Sequence, residues 1–435
     1  MKKEVKRILA LFLTAGILLS GAAACSVREG MYLSGSTRKL NVTNGGTGES
    51  GDNVQMLPSD EESDRIFAES YVNFAIQLFQ NSYETGKNTM ISPYSVINAL
   101  AMTANGASGE TLEQMESVLC GTADCSLDLL NRELQRLQSS MPKEKNNHLY
   151  TANSIWYKDS DENFVPADDF LKLNAEFYQA DIFASAFDEK TTKDINRWID
   201  RRTDGMIKDI LDQIPPYAIM YLVNAVAFEG EWQDPYEKEQ VQDADFYDID
   251  GNKSTVSMMY SEEYSYLEEE HAVGFIKPYK ECFDFVALLP DEDMDIGTYI
   301  SQMNGETFLK TIGQSNDTMV EAGLPKFKAE NKMELAEVLD KMGMPDAFDE
   351  KFADFSRMGT CKNGDNLYIS RVLHQTKIEV DELGTKAGAA TVVEMTTEGC
   401  MEMVPEYVVL DRPFVYAIVD RETGIPVFIG AADAL

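Results

Sequence analysis

The sequence predicts an α+β fold built as one large domain, with helices in its earlier part and antiparallel strands later. Three observations carry this. Apolar residues recur at helical spacing early, period-two alternation takes over later, and after about residue 60 no Pro/Gly/Ser-rich break divides the chain. The 435 residues are 44% hydrophobic and 26% charged, enough for a large core, which excludes disorder as the main state.

The first helix opens on the capping pattern of Ser59 with Glu62, and Ile66, Phe67, Tyr71, Phe74, Leu78 and Phe79 form its apolar face. A second begins at Ser92-Pro93, an N-cap followed by proline at the first helical position, and runs through Val96, Leu100 and Ala101. Strands are expected over Tyr221 to Phe228, Phe283 to Leu289 and Arg371 to Val380, the last with Val372, His374, Thr376, Ile378 and Val380 on one face. A hairpin pairs Phe414 to Val419 with Ile425 to Ile429 through a turn marked by Thr423-Gly424.

Ahead of this body, Lys2, Lys3, Lys6 and Arg7 precede an apolar run from Ile8 to Leu19, too short for a stable membrane span, and then small residues up to Cys25. Residues 1–24 read as a signal peptide. The small residues before Cys25 resemble a bacterial lipobox, which implies diacylation of Cys25 as the new N-terminus. Ala22 stands where leucine is usual, so plain cleavage after Ala24 is the alternative. Residues 25–60, rich in Gly, Ser, Thr and Asn, read as a flexible tether reaching roughly 120 Å at full extension, and 61–435 as the folded domain. Gly46, Gly48 and Gly51 spell GxGxxG without a strand before or a helix after, so they do not mark a nucleotide site.

The formal charge is −36, and loss of Lys2, Lys3, Lys6, Arg7 and Glu4 with the signal peptide leaves −39. This excludes nucleic acid as a partner and favours encounter with basic proteins. Six cysteines are present, and lipidation of Cys25 leaves five. Cys120 and Cys125 are close enough in sequence to pair, an alternative left open, and no cysteines have zinc-ligand spacing. Only His148, His271 and His374 could serve as imidazole bases, and there is no HExxH, GxSxG or GxxxxGK[ST]. The chain is therefore expected not to be an enzyme, and to need no metal or other cofactor.

Several segments, in order over nearly all of 62–435, resemble the serpin family. Asn88 to Ser95 is similar to its Asn-x-x-x-Ser-Pro-x-Ser segment, and Asn105-Gly106-Ala107 with Thr111 to the helix end that follows. Ile195-Asn196-Arg197-Trp198-Ile199, Leu222-Val223-Asn224-Ala225 and Phe228-Glu229-Gly230-Glu231-Trp232 continue the match. Leu324-Pro325-Lys326-Phe327, Asp354-Phe355-Ser356, Ser370 with His374, and Pro413-Phe414 complete it, with Glu229 standing where the family has lysine. The resemblance implies helices around a large central mixed sheet, smaller antiparallel sheets and an exposed reactive-centre loop on a monomer. It implies a shutter of Ser92, Ser95, Asn196 and His374 beneath the central sheet, and Trp232 at the breach where the loop first enters.

It also implies a function: suicide inhibition of a serine protease, in which cleavage traps an acyl-enzyme while the loop inserts as a new central strand. The alternative is a non-inhibitory member acting as a binding or chaperone-like protein. The hinge reads Glu382, Gly384, Thr385, Ala387, Ala389, Ala390 and Thr391. Counting alternate residues from Thr385, the inward set Thr385, Ala387, Ala389, Thr391, Val393, Met395 and Thr397 carries no charge, whereas Lys386 and Glu394 fall outward. That parity is what an insertable strand needs, because an unpaired charge inside the sheet costs several kcal/mol. The family's hinge count, about sixteen residues from Glu382, places the scissile bond at Glu398-Gly399. Met395, Thr396, Thr397, Cys400, Met401 and Glu402 complete the bait, and counting back from Pro413 lands near Glu402. Elastase-like or chymotrypsin-like enzymes are the leading targets, reached from an extracellular, cell-surface lipoprotein or, alternatively, a fully secreted protein.

Overall fold

The computed structural model describes residues 33, 37–41 and 60–435 except 123, 145, 146, 160–163, 216, 217, 317, 363 and 386–403. Its central sheet runs, edge to edge, β1 (Arg38–Leu40), β6 (Asp181–Ser185), β4 (Asn147–Lys158), β7 (Met220–Glu231), β17 (Gly384–Thr385), β16 (Leu373–Asp381) and β14 (Phe327–Glu334). The short β3 (Lys143–Glu144) pairs with β4 off this path. The sheet is mixed, with β4 parallel to β6 and antiparallel to β7. A six-stranded antiparallel sheet runs β10 (Tyr266–Glu268), β11 (Ala272–Pro278), β12 (Phe283–Pro290), β19 (Phe414–Asp420), β20 (Pro426–Ala432) and β2 (Thr89–Ile91). A four-stranded sheet runs β18 (Glu406–Val409), β13 (Val320–Pro325), β9 (Lys253–Glu263) and β8 (Val241–Tyr247), and β15 (Gly359–Cys361) pairs with β5 (Phe164–Pro166). The smaller sheets differ from expectation in one place: β18 joins β13 in parallel.

Helices α1 (Asp60–Ser82), α2 (Pro93–Ala104), α3 (Gly109–Cys120) and α4 (Leu127–Ser140) occupy the early part, the first two being those that the sequence pattern predicts. Tyr71 anchors α1 to the C-terminal hairpin by donating to the Pro426 carbonyl at 3.0 Å. That hairpin's β19 and β20, and the neighbouring β12, are buried along their whole length, and Gly424 turns the chain at φ +70°. Later come α5 (Asp168–Phe177), α6 (Glu189–Arg202), α7 (Ile296–Gln302), α8 (Gly305–Gly313) and α9 (Ala336–Met342). A capping box of Asp188 and Thr191 starts α6, and Arg201 and Arg202 suit the negative end of its dipole. Its Ile195, Trp198 and Ile199 pack with Trp156 and Phe183, which stack at 4.1 Å, so α6 lies on one face of the central sheet.

Within residues 25–60, read from the sequence as a flexible tether, the structure describes one short strand. Arg38–Leu40 adds a strand antiparallel to β6, the Thr37 and Ser185 hydroxyls meet at 2.9 Å, and Lys39 pairs with Asp181 at 2.7 Å. The open edge of β6 offers unpaired backbone groups, and Leu40 covers apolar core, so this short strand can dock here. Ser59, the expected first cap, lies outside the described residues.

Candidate functional site: hinge, slot and shutter

The hinge begins inside the central sheet. Asp381 ends β16, its carboxylate accepts from the Leu383 and Gly384 amides at 2.8 and 3.3 Å, and the chain folds back. Gly384 and Thr385 then lie between two strands: Thr385 faces Val380 of β16 and Gly230 of β7. Gly384 holds φ +147°, and a Cβ there would meet the Gly230 carbonyl oxygen at 2.0 Å, so only glycine fits. Thr385 is fully buried, and its hydroxyl meets that of Tyr279 at 2.6 Å.

Around this entry, Trp232 donates its indole N–H to the Asp381 carbonyl at 2.9 Å and its amide to the Leu383 carbonyl at 3.0 Å. Its ring stacks on Tyr279 at 4.4 Å, and the Lys277 ammonium sits 5.5 Å from the ring centre. Lys277 is buried and paired with Glu263 at 2.7 Å, which satisfies a cation that could not otherwise remain in this aromatic layer. On the outer side Glu382 pairs with Lys326, and the hydrogen bond from that lysine holds its carboxylate below the usual range. Trp232 thus lies against the turn that starts the hinge, whereas Tyr279, Lys277 and Glu263 escape sequence reasoning because their partners are remote in the chain.

Below Thr385 the two lips separate. Among the described residues no ladder joins β7 directly to β16, and a cavity of about 520 Å³ opens between them, reached by Met220, Leu222 and Asn224 on one side and Leu373 and His374 on the other. Ser95 and Ala99 of α2 also line it. Both lips are held by the N-terminus of α2. Ser92 caps this helix by accepting from the Ser95 amide at 3.2 Å, and its own amide donates to His374 Nε2 at 3.0 Å. The Ser92 hydroxyl donates to the Val427 carbonyl at 2.8 Å. Ser95 in turn donates to the Asn224 side-chain oxygen, and Asn224 donates to Asn153 at 2.6 Å. One helix start therefore grips β16 through Ser92 and β7 through Ser95.

His374 accepts rather than donates at Nε2, and burial alone pushes its pKa down to about 4. It is a neutral structural acceptor and not a proton-transfer group. Asn196 is not brought to this cluster, which corrects the assignment implied by the resemblance. It lies on α6 and closes a mutual pair with Leu211, donating to its carbonyl at 2.8 Å and accepting from its amide at 3.1 Å. The asparagine beside Ser95 is Asn224, on β7 two residues after Leu222. Glu229 accepts from the Tyr150 hydroxyl at 3.3 Å. Of the remaining predicted residues, Cys25, Ala387, Ala389, Ala390, Thr391, Met395, Thr396, Thr397, Glu398, Gly399, Cys400, Met401 and Glu402 lie outside the described residues.

Comparison with known proteins agrees with this architecture. The family profile described as serpin (serine protease inhibitor) matches residues 69–433. The chain is 33% identical to human Serpin B8, over 82% of this chain and 96% of that one, and 29% identical to human leukocyte elastase inhibitor with the same coverage. Among solved structures it is similar to the thermophilic serpin tengpin in its native state, with TM-score 0.80 and 46% identity over 87% of this chain and 95% of that one. It is also similar to human thyroxine-binding globulin, with TM-score 0.74 and 25% identity over 86% and 99%. With a profile spanning most of its length, and a hinge, slot and shutter built from its own residues, the chain belongs to the serpin family.

Proposed function

We propose that this serpin is a suicide-substrate inhibitor of serine proteases that works by inserting residues 386–397 into the slot between β7 and β16 after cleavage. The observation that carries the reading is Thr385: the first uncharged inward residue is already buried in the sheet, with an open slot continuing in line below it. If the antiparallel register of Gly384 and Thr385 continued on insertion, Val392 would come opposite Leu373 on β16 and Met395 opposite Met220 on β7. The scissile bond at Glu398-Gly399 then lies just past the sheet end, at roughly 3.3 Å per inserted residue some 40 Å from Thr385. A tethered protease would be carried that whole distance. Insertion requires the lips to part, so the Ser92–His374 and Ser95–Asn224 contacts are the restraints that yield.

The similarity to leukocyte elastase inhibitor and the charge of −36 support elastase-like enzymes as targets, chymotrypsin-like ones being next. The similarity to thyroxine-binding globulin supports the second reading, a binding protein on the same fold. For location, we assign the chain to the cell surface, held by lipid on Cys25, with full secretion as the alternative. The experiment cleaves the loop with a serine protease and compares thermal unfolding of intact and cleaved protein. Insertion predicts a large rise in unfolding temperature and a C-terminal fragment beginning between Glu398 and Glu402. Equal unfolding temperatures would overturn insertion, and cleavage before Met395 or after Val404 would overturn the bond.

A further inference from the structure

Three successive carbonyls of the hinge turn accept hydrogen bonds from one short segment that follows β7. The indole and the amide of Trp232 donate to Asp381 and Leu383, and the Tyr236 amide donates to the Glu382 carbonyl between them at 2.9 Å. Residues 232–236 therefore clasp the turn from which the loop enters. The segment is fastened in turn to the end of β11, where Trp232 bridges Tyr279 and the Gln233 amide donates to the Pro278 carbonyl at 2.9 Å. Against it lies the ammonium of Lys277, a β11 residue whose side chain is 2% exposed. That ammonium donates to the Asp234 carbonyl at 3.3 Å and sits 4.3 Å from the Tyr236 ring centre, with Trp232 on its list of partners as described above. Glu263 of β9 accepts from it at 2.7 Å and from the Ser261 hydroxyl at 2.6 Å.

We propose that Lys277 is a positioning residue for loop insertion: its ammonium fixes the 232–236 clasp, and through the clasp holds the hinge turn as a stationary pivot. The effect on protease trapping rests on the inhibitor reading above, whereas the anchoring itself does not. A buried ion pair adds little stability over apolar residues of equal size, so what this one contributes is placement. One ammonium is shared by a backbone carbonyl, two ring faces and a carboxylate, and three of those four partners belong to the segment that grips the turn. An apolar side chain would fill the same space without a directional hold on any of them. The clasp would loosen, Thr385 would leave its place between β7 and β16 more often, and insertion would begin from farther out. Deacylation gains whatever time insertion loses.

The test measures amide hydrogen exchange in the intact full chain and in the double variant Lys277→Met, Glu263→Gln, which removes both charges together. The Trp232 and Tyr236 amides, whose acceptors are the hinge carbonyls, should exchange about tenfold faster or more in the variant, while those of Tyr416 and Ala417 in β19 keep their rates. With a serine protease that the unaltered protein traps, the moles of serpin consumed per mole of enzyme should rise. Unchanged exchange at Trp232 and Tyr236 would overturn the anchor, and equal acceleration in β19 would reduce the pair to general stability and overturn the positioning role. A looser clasp with an unchanged stoichiometry would overturn its link to insertion. If the unaltered protein traps no protease, the inhibitor reading fails and the exchange rates still decide the anchor. Should the double variant fail to fold, Glu263→Gln alone is expected to show the same selective acceleration, and its absence would overturn the proposal.

Discussion

Thr385→Arg places a guanidinium at the first inserted position, where the native side chain has no exposed surface and one partner, the Tyr279 hydroxyl at 2.6 Å. Leaving that hydroxyl unpaired costs about 1–3 kcal/mol. Bringing an unpaired cation against Trp232 and Tyr279, beside Lys277, adds several more, because Glu263 is already committed to Lys277. The intact variant relieves this by expelling the hinge from the sheet, so the cost falls on insertion. A combined penalty of about 4 kcal/mol slows insertion about a thousandfold. Deacylation then wins, and the protein is consumed as a substrate. Titrating a serine protease inhibited by the unaltered protein should show the moles of serpin required per mole of enzyme rising about tenfold or more, with the loop still cleaved. Lys386→Arg, at the outward parity, should leave that ratio unchanged. An unchanged ratio for Thr385→Arg together with a raised one for Lys386→Arg would refute the parity assignment.

The shutter predicts a pH dependence. His374 in the folded protein titrates near 4 and an unfolded histidine near 6.5, so above pH 6.5 both states hold it neutral and it contributes no pH dependence. As pH falls from 6.5 to 4 the unfolded chain gains a proton that the native chain excludes, and stability declines by about 3 kcal/mol. His374→Gln should flatten that part of the profile in denaturant titrations; identical profiles would remove His374 as its source. For location, detergent partitioning of the mature protein should be lost in Cys25→Ser, with soluble protein released; partitioning that survives the substitution would leave plain secretion.

The legible parts of this molecule are those set by neighbours in sequence. Ser92-Pro93 starts α2 because cap and proline act within one turn, and Thr423-Gly424 closes the terminal hairpin for a similarly local reason. The β4 strand is not legible, because it is buried on both faces over much of its length and so lacks clean alternation. The β1 strand is three residues in a Gly- and Ser-rich stretch, and only the edge of β6 makes it a strand. Within the site, the hinge and the Ser92–His374 contact are readable through the family pattern. The choice between Asn196 and Asn224 is not, since both sit in matching segments and only the sheet decides which faces Ser95. The Tyr279–Thr385 contact joins residues 106 apart, and no local pattern encodes it.

The central claim is that cleavage and insertion trap the protease covalently. Mixing the intact protein with a panel of serine proteases, elastase-like and chymotrypsin-like first, and separating the products in SDS reads this directly. Trapping predicts, for at least one enzyme, a band heavier than either protein that survives SDS and heat, together with a small C-terminal fragment that starts between Glu398 and Glu402. Panel-wide cleavage of the loop with no heavier band, or no reaction with the loop at all, would contradict the inhibitor reading and leave a binding protein on the serpin fold.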